Sequence, residues 1–581
     1  MSYKLVKYRL HWVGIFMRES MSLFKRHGYQ EHIKFPFSSN SNSYFMFNSN
    51  NKAKNTGSLT RPLREPFSRI RMALPFLINS DRASTIFPVP KSETLLGKVI
   101  DVNSNETACL SDGNLAITPL IDFDLEAKNE QEIDDLEVQI SSETSDFEVS
   151  LKCNPLDGFL YLKVPANEAI RISSSEKIFV SEVYNNKIEE GEEQTSLKIV
   201  VIYVDALSAP NFIDSSFLSL YMPNTHAYFN TALKFENHFA SAEWTTPGFT
   251  SLITGKNSHE HDRVYSSDQV RTLSTQLAPI ENSVVSDLLG KKFFTGYFGG
   301  ISHLNPALGY AKDFCRYLYM PDANASELIS LFIEQDTSTK LLRSFNWISF
   351  MDAHQVQHLS PKSRRNINSL LRNFDFPFQE QSMKMTGLTK EQLFDYSLRL
   401  FDLDAQLATL YNYLSRFNDQ DLMTVLVSDH GGAPLRNRQS ECLDNERTKI
   451  PLYIKSSKIK DRNIYTYTSN KDFRNIVNLM TDNVQIDPNQ FSDSILEDNF
   501  IMTESRYIGK EYLCRIIDRL SGGDIHFRGG TVMADGIVDL QELKLTSMRD
   551  SIDLHNVVDW ANKKFFESEK FLNEINLKLL S

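Results

Sequence analysis

Glu243-Trp-Thr-Thr-Pro-Gly-Phe-Thr-Ser-Leu-Ile-Thr-Gly255 sets two adjacent hydroxyls against a Pro-Gly turn and an apolar run that reads as the start of a helix. A threonine at such a helix mouth can act as a nucleophile if a base or a cation lies beside it, and a bound divalent metal does both jobs for an anionic ester. Two other stretches offer ligands for one. Leu197-Lys-Ile-Val-Val-Ile-Tyr-Val-Asp205 is a β-branched apolar run ending in a carboxylate, the pattern of a buried parallel strand with a functional side chain at its carboxyl end. Leu422-Met-Thr-Val-Leu-Val-Ser-Asp429-His430-Gly-Gly432 repeats the device, with glycines that let the backbone turn close to a ligand. Asp205, a threonine hydroxyl, Asp429 and His430 would make a hard donor set of mixed oxygen and nitrogen. Singly, each piece is more often a turn or a helix cap. Their order and spacing give the set its specificity.

Strand-Asp, then about forty residues on a Thr-x-Pro turn running into Ser-Leu-Ile-Thr-Gly, then strand-Asp-His-Gly far downstream, resembles the sulfatase-like branch of the alkaline phosphatase superfamily. The resemblance spans about Leu197 to Met480, roughly half the chain. The Cys-x-Pro-x-Arg signature of that branch falls on Thr245-Thr-Pro-Gly-Phe249, which makes Thr245 the nucleophile position. Two departures stand out. Thr245 replaces the Cys or Ser that a sulfatase converts to formylglycine, and Phe249 replaces the arginine. Gly300-Ile-Ser-His-Leu304 looks like the Gly-Lys-Trp-His-Leu run, keeping His303 and losing the lysine at Ile301. A threonine without those partners is similar to the phosphoethanolamine and phosphoglycerol transferases of the same fold. The resemblance therefore implies one divalent metal (Zn, Mn, Mg or Ca) held by Asp205, Thr245, Asp429 and His430, and a phospho-threonine intermediate.

His303, His354 and His358 are the candidates for stabilising the substrate anion and protonating the leaving group, His358 through its likeness to the family's pocket histidine. A metal pair is the competing arrangement, with Asp352 and His354 or His358 at the second site, but the Asp-x-x-x-His spacing it needs is absent. Arg447 and Lys449 are in place to bind a phosphate, although a charge before a strand is ordinarily solvated, and His259 and His261, just beyond the nucleophile helix, read as surface residues sooner than pocket residues. The leading function is metal-dependent transfer or hydrolysis of a phosphodiester-linked group, modifying a surface glycan or capsule. The rivals are a sulfate, phosphonate or phosphate ester hydrolase and a catalytically silent binder of anionic polymers.

The 581 residues suffice for several domains, with 41% hydrophobic and 23% charged residues, as in globular proteins. Five scattered cysteines without a Cys-x-x-Cys fit a reducing compartment better than a disulfide scaffold. Residues 1–75 hold thirteen Lys/Arg against three Asp/Glu, a charge of +10, which leaves −22 of the net −12 to the rest. Such an arm suits an anionic surface such as a bilayer or a glycan, and the acidic body argues against nucleic acid. Tyr8 to Met17 is too short and too charged for a signal peptide, and no stretch reaches the roughly 18 apolar residues of a span. A cytoplasmic or peripheral membrane location is expected.

Alternating strand and helix patterns from residue 197 onward predict an α/β fold, a mostly parallel sheet between helices. The expected organisation is a basic arm and linker (1–85, with a possible basic amphipathic helix over 1–27 and a loop over 38–60), a β-sandwich-like module (86–190), the catalytic domain (196–498), and a small antiparallel sheet with a final helix (499–581). Within the catalytic domain, Asn224 to Lys234 reads as helical and Thr389 to Phe417 as a long amphipathic helix.

Overall fold

The computed structural model describes side chains between residues 197 and 560, with several internal segments outside the description, and backbone strands alone at 33–34, 43–47 and between 92 and 185. Numbering the core strands from residue 197, the sheet comprises β1 (Leu197–Val204), β2 (Leu233–Phe235), β3 (Phe294–Gly299), β4 (Arg316–Tyr319), β5 (Arg343–Phe350), β6 (Leu422–Val427) and β7 (Leu452–Lys455). Their spatial order is β4, β3, β5, β1, β6, β7, β2. The first five are mutually parallel, while β7 runs antiparallel to β6 and to β2.

Because side chains alternate along a strand, β1 feeds two cores. Ile199, Val201 and Tyr203 pack on one face with helix α1 (Thr245–Thr254), α2 (Val284–Gly290) and α5 (Phe473–Thr481). Val200, Ile202 and Val204 pack on the other with α3 (Ala325–Thr339) and α4 (Lys390–Leu414). In α4 the stripe Tyr396, Leu400, Leu403, Leu407, Leu410 and Leu414 recurs every three or four residues and lies wholly within that second core, as its sequence periodicity predicts. Helices thus cover both faces, the arrangement of alkaline-phosphatase-like folds.

Past residue 498, β8 (Phe500–Ser505), β9 (Glu511–Asp518), β10 (Asp524–Thr531) and β11 (Lys544–Met548) form a separate antiparallel sheet in that order. Its edge strand is clamped onto the segment leading to the nucleophile turn. Glu504 N donates to Ser241 O at 3.0 Å, and Thr503 Oγ1 to Ala240 O at 2.6 Å.

N-terminal to the core, antiparallel strands at 106–110, 168–174, 136–142 and 148–153 make one sheet. A second antiparallel set joins the catalytic sheet itself, since 92–100 pairs antiparallel with β4. The β-rich module is therefore continuous in hydrogen bonding with the α/β sheet. Local expectations fail in two places. The helix expected over 224–234 stops at Tyr228, because Leu233–Phe235 is taken up by the sheet as β2, and residues 43–47 of the expected loop form a strand on 92–100. The amphipathic helix over 1–27 and most of the final helix lie outside the described residues. Among the described residues no helix is long and apolar enough to cross a membrane.

Candidate active site and metal centre

Strand register builds the site. Tyr203 pairs with Val427 in the parallel ladder, so the residues two positions on, Asp205 and Asp429, leave adjacent strands at one level. On the other side of β1, Val204 pairs with Phe350, and Asp205 N donates to Phe350 O at 2.9 Å. The turn after β5 therefore brings His354 to the same edge. Three neighbouring carboxyl ends converge, the usual place for a ligand in such a sheet.

Thr245 arrives from the α1 side. Trp244 is the N-cap residue of α1, and the Thr245 hydroxyl donates to Asp205 Oδ2 at 3.4 Å while lying 3.4 Å from His430 Nε2. His430 Nε2 is 3.6 Å from Asp205 Oδ1 and 3.3 Å from Asp429 Oδ2. The structure thus brings together Asp205, Thr245, Asp429 and His430, all buried. It adds His354, which the sequence offers for substrate contact or for a second metal: Asp205, His354 and His430 present ligand atoms that all lie within 4.8 Å of one another. The His354 and His430 rings meet edge to face at 5.9 Å.

The donor chemistry fits a cation. His430 Nδ1 donates to Gly431 O at 3.0 Å, which leaves Nε2 as a bare lone pair facing the carboxylates. Asp205 Oδ1 and Asp429 Oδ2 are buried without a hydrogen-bond partner. Burial pushes both carboxyls above the usual range, and for Asp205 the Asp429 charge adds to the effect. Burial, chiefly, holds His430 far below its ordinary value and His354 at about 3. Two orphaned carboxylate oxygens and neutral imidazoles around one point are what a divalent metal requires of its ligands.

The backbone is tightened around this point. Ala206 sits at φ 64° directly after Asp205, a conformation that costs a residue with a Cβ about 1–3 kcal/mol and tends to be kept at functional sites. Its N–H donates to Asp429 Oδ1 at 3.3 Å. Asn470 Nδ2 donates to Asp429 O at 3.1 Å. Gly248, in the first turn of α1, packs on the same peptide, and a Cβ there would lie 2.9 Å from Asp429 O. Gly→Ala within a helix ordinarily gains about 0.5–1 kcal/mol. Gly248→Ala should instead destabilise by about 1–3 kcal/mol and lower activity, because overpacking drives α1 and the Asp429 turn apart. A variant that melts at or above wild type with full turnover would refute the contact.

His303 lies in a single 3-10 turn, Ser302–Leu304, with its ring edge-on to Trp244 at 6.3 Å, and burial lowers its pKa to about 4. His358 lies outside the described residues. Asp352, weighed for a second metal, accepts from Ala325 N at 3.4 Å and caps α3. His259 and His261 are not loose surface groups: His259 Nδ1 donates to Glu504 Oε2 at 2.8 Å, and His261 Nε2 pairs with Ser251 Oγ at 3.2 Å. Sequence reasoning also undervalued Arg447, which is half-buried and donates to Gly431 O and Glu243 O.

Residues 198–482 match the family model described as Sulfatase. A comparison with curated proteins finds no match. Among solved structures, the chain is similar to a protein in the alkaline phosphatase superfamily from Vibrio parahaemolyticus (11% identity, TM-score 0.43, covering 66% of this chain and 88% of that one). It is similar as well to a phosphonate monoester hydrolase of Agrobacterium radiobacter (14%, 0.42, 66% and 95%) and to one from Silicibacter pomeroyi (12%, 0.43, 66% and 97%).

Proposed function

We propose that the protein transfers or hydrolyses a phosphodiester-linked group, phosphoethanolamine- or phosphoglycerol-like, through Thr245, with a surface glycan, capsule or lipid-linked hydroxyl as acceptor. One observation carries the reading: the Thr245 hydroxyl stands 3.4 Å from a carboxylate oxygen and 3.4 Å from an imidazole lone pair, inside a donor set suited to a cation. A divalent metal held by Asp205, His430, Asp429 and His354 would supply the positive charge that favours the alkoxide form of Thr245. Asp205 accepts the hydroxyl hydrogen bond and thereby orients Oγ1. Attack by Oγ1 on phosphorus breaks the bond to the first alcohol, which departs with the proton Thr245 gives up, leaving the threonine esterified to a phosphoryl group that still carries its second substituent. A second hydroxyl, or water, then displaces Thr245 and restores it. His303, kept neutral by burial, offers an N–H to the non-bridging oxygens.

The departures from the sulfatase signature support phosphorus over sulfur. Formylglycine needs Cys or Ser where Thr245 stands, and the positions of the two anion-binding cations hold buried Phe249 and Ile301. The test is turnover of four nitrophenyl esters (phosphate diester, phosphate monoester, phenylphosphonate, sulfate) by wild type and Thr245→Ala, with Mn²⁺ or Zn²⁺ supplied. Diester turnover that falls at least about 10³-fold in the variant is expected, the scale of losing a covalent nucleophile. Preferred turnover of the sulfate ester, or full activity in the alanine variant, would overturn the proposal.

A further inference from the structure

The nucleophile turn and the metal-ligand turn belong to segments nearly two hundred residues apart, so something must fix their separation. Arg447 lies between them. Its Nε donates to Glu243 O at 2.8 Å, two residues before Thr245, and its Nη1 donates to Gly431 O at 2.9 Å, one residue after His430. The grip on Gly431 is double, because Gly431 N donates to Arg447 O at 2.6 Å. The Gly431 carbonyl held by the guanidinium also receives His430 Nδ1. Only a planar fork with donors in fixed directions can span two carbonyls in this way, which distinguishes arginine from lysine. Glu243 is held in turn by Ser505 Oγ on Oε1 at 2.9 Å, and Arg447 itself by Asp444 O through its own N–H at 2.9 Å.

We propose that Arg447 is a positioning residue that sets the spacing between Thr245 and His430 and aims the His430 Nε2 lone pair at the metal. This rests on the reading of Asp205, Asp429 and His430 as metal ligands. Arg447 is not an anion-binding cation carried over from the signature, whose two cationic positions are Phe249 and Ile301 here.

The sign of its effect on metal affinity separates positioning from plain electrostatics. A guanidinium beside a cation site repels the cation, so if charge were all that mattered, removing it would tighten metal binding. If positioning dominates, removing it loosens binding, typically by about 10–100-fold for groups that orient metal ligands. The measurement is titration of the full-length, metal-stripped protein with Co²⁺, followed by its visible d–d bands, for wild type, Arg447→Met and Arg447→Lys. Both variants should bind about 10–100-fold more weakly with altered band positions, since the lysine keeps the charge but cannot reach both carbonyls. Binding in Arg447→Met as tight as wild type or tighter, with unchanged bands, would overturn the inference. Should Arg447→Met fail to fold, wild-type affinity and bands in Arg447→Lys would overturn it equally. A wild-type protein that binds no Co²⁺ would sink the metal reading itself, a result distinct from either variant outcome.

Discussion

Asp205→Asn should abolish activity and yet leave the metal-free protein more stable than wild type. Asp205 and Asp429 are both buried at the ends of adjacent strands, and one oxygen of each lacks a hydrogen-bond partner. Without a cation this is an electrostatic fault: burial opposes both charges, and the two oppose each other. An amide at Asp205 removes one charge and can still accept the Thr245 hydroxyl. The gain should be about 1–3 kcal/mol, the usual penalty of an unsatisfied buried polar group. Metal reverses the ranking, because a ligand at 100 times its Kd stabilises the protein that binds it by about 2.7 kcal/mol. Turnover should fall beyond the ~10–100-fold that outer-sphere groups cost, since a direct ligand is lost. The check is thermal melting of both proteins in chelator and in excess Zn²⁺ or Mn²⁺. If the variant melted below wild type in chelator, or wild type were indifferent to metal, the carboxylate pair would not be a cation site.

The same pair shows which parts of the molecule were legible in the sequence. Each carboxylate closes a β-branched run, and local pattern is enough to bury such a run and put its last side chain at the sheet's carboxyl edge. Helix α4 was legible for a similar reason, because a leucine every three or four residues needs no knowledge of its neighbours. His354 was harder to place. Its approach to His430 follows from β5 lying beside β1, a pairing between segments some 150 residues apart that no local period encodes. Leu233–Phe235 shows the reverse failure, where a segment with helical composition is recruited as a strand because β7 and the strand at 462–464 stand on either side of it. From sequence Arg447 reads as a phosphate binder or a solvated charge, because the Glu243 and Gly431 oxygens it holds are carbonyls, and carbonyls leave no trace in a sequence.

Phe249→Arg, which restores the arginine of the sulfatase signature, should unfold the protein rather than confer sulfate hydrolysis. Phe249 is 1% exposed and sits in an aromatic box, with ring centroids 5.4 Å from Tyr203, 5.5 Å from Tyr310 and 5.2 Å from Trp347. A guanidinium there would gain at most about 2 kcal/mol from the surrounding ring faces. Against that stand several kcal/mol of desolvation for an ion without a carboxylate partner. A cation is also already close, since Arg263 lies 5.9 Å over the Tyr310 ring. The expected loss exceeds about 4 kcal/mol, the range reserved for buried unpaired charge and broken cores, and should appear as insoluble expression or a collapsed melting transition. Phe249→Leu, which keeps the apolar filling, should stay folded at a cost of about 1–3 kcal/mol and retain Thr245-dependent turnover. A soluble, cooperatively melting Phe249→Arg protein with new sulfatase activity would show that this position opens toward the substrate. In that case Thr245 and Ile301, and not the whole first turn of α1, would separate this site from a sulfatase.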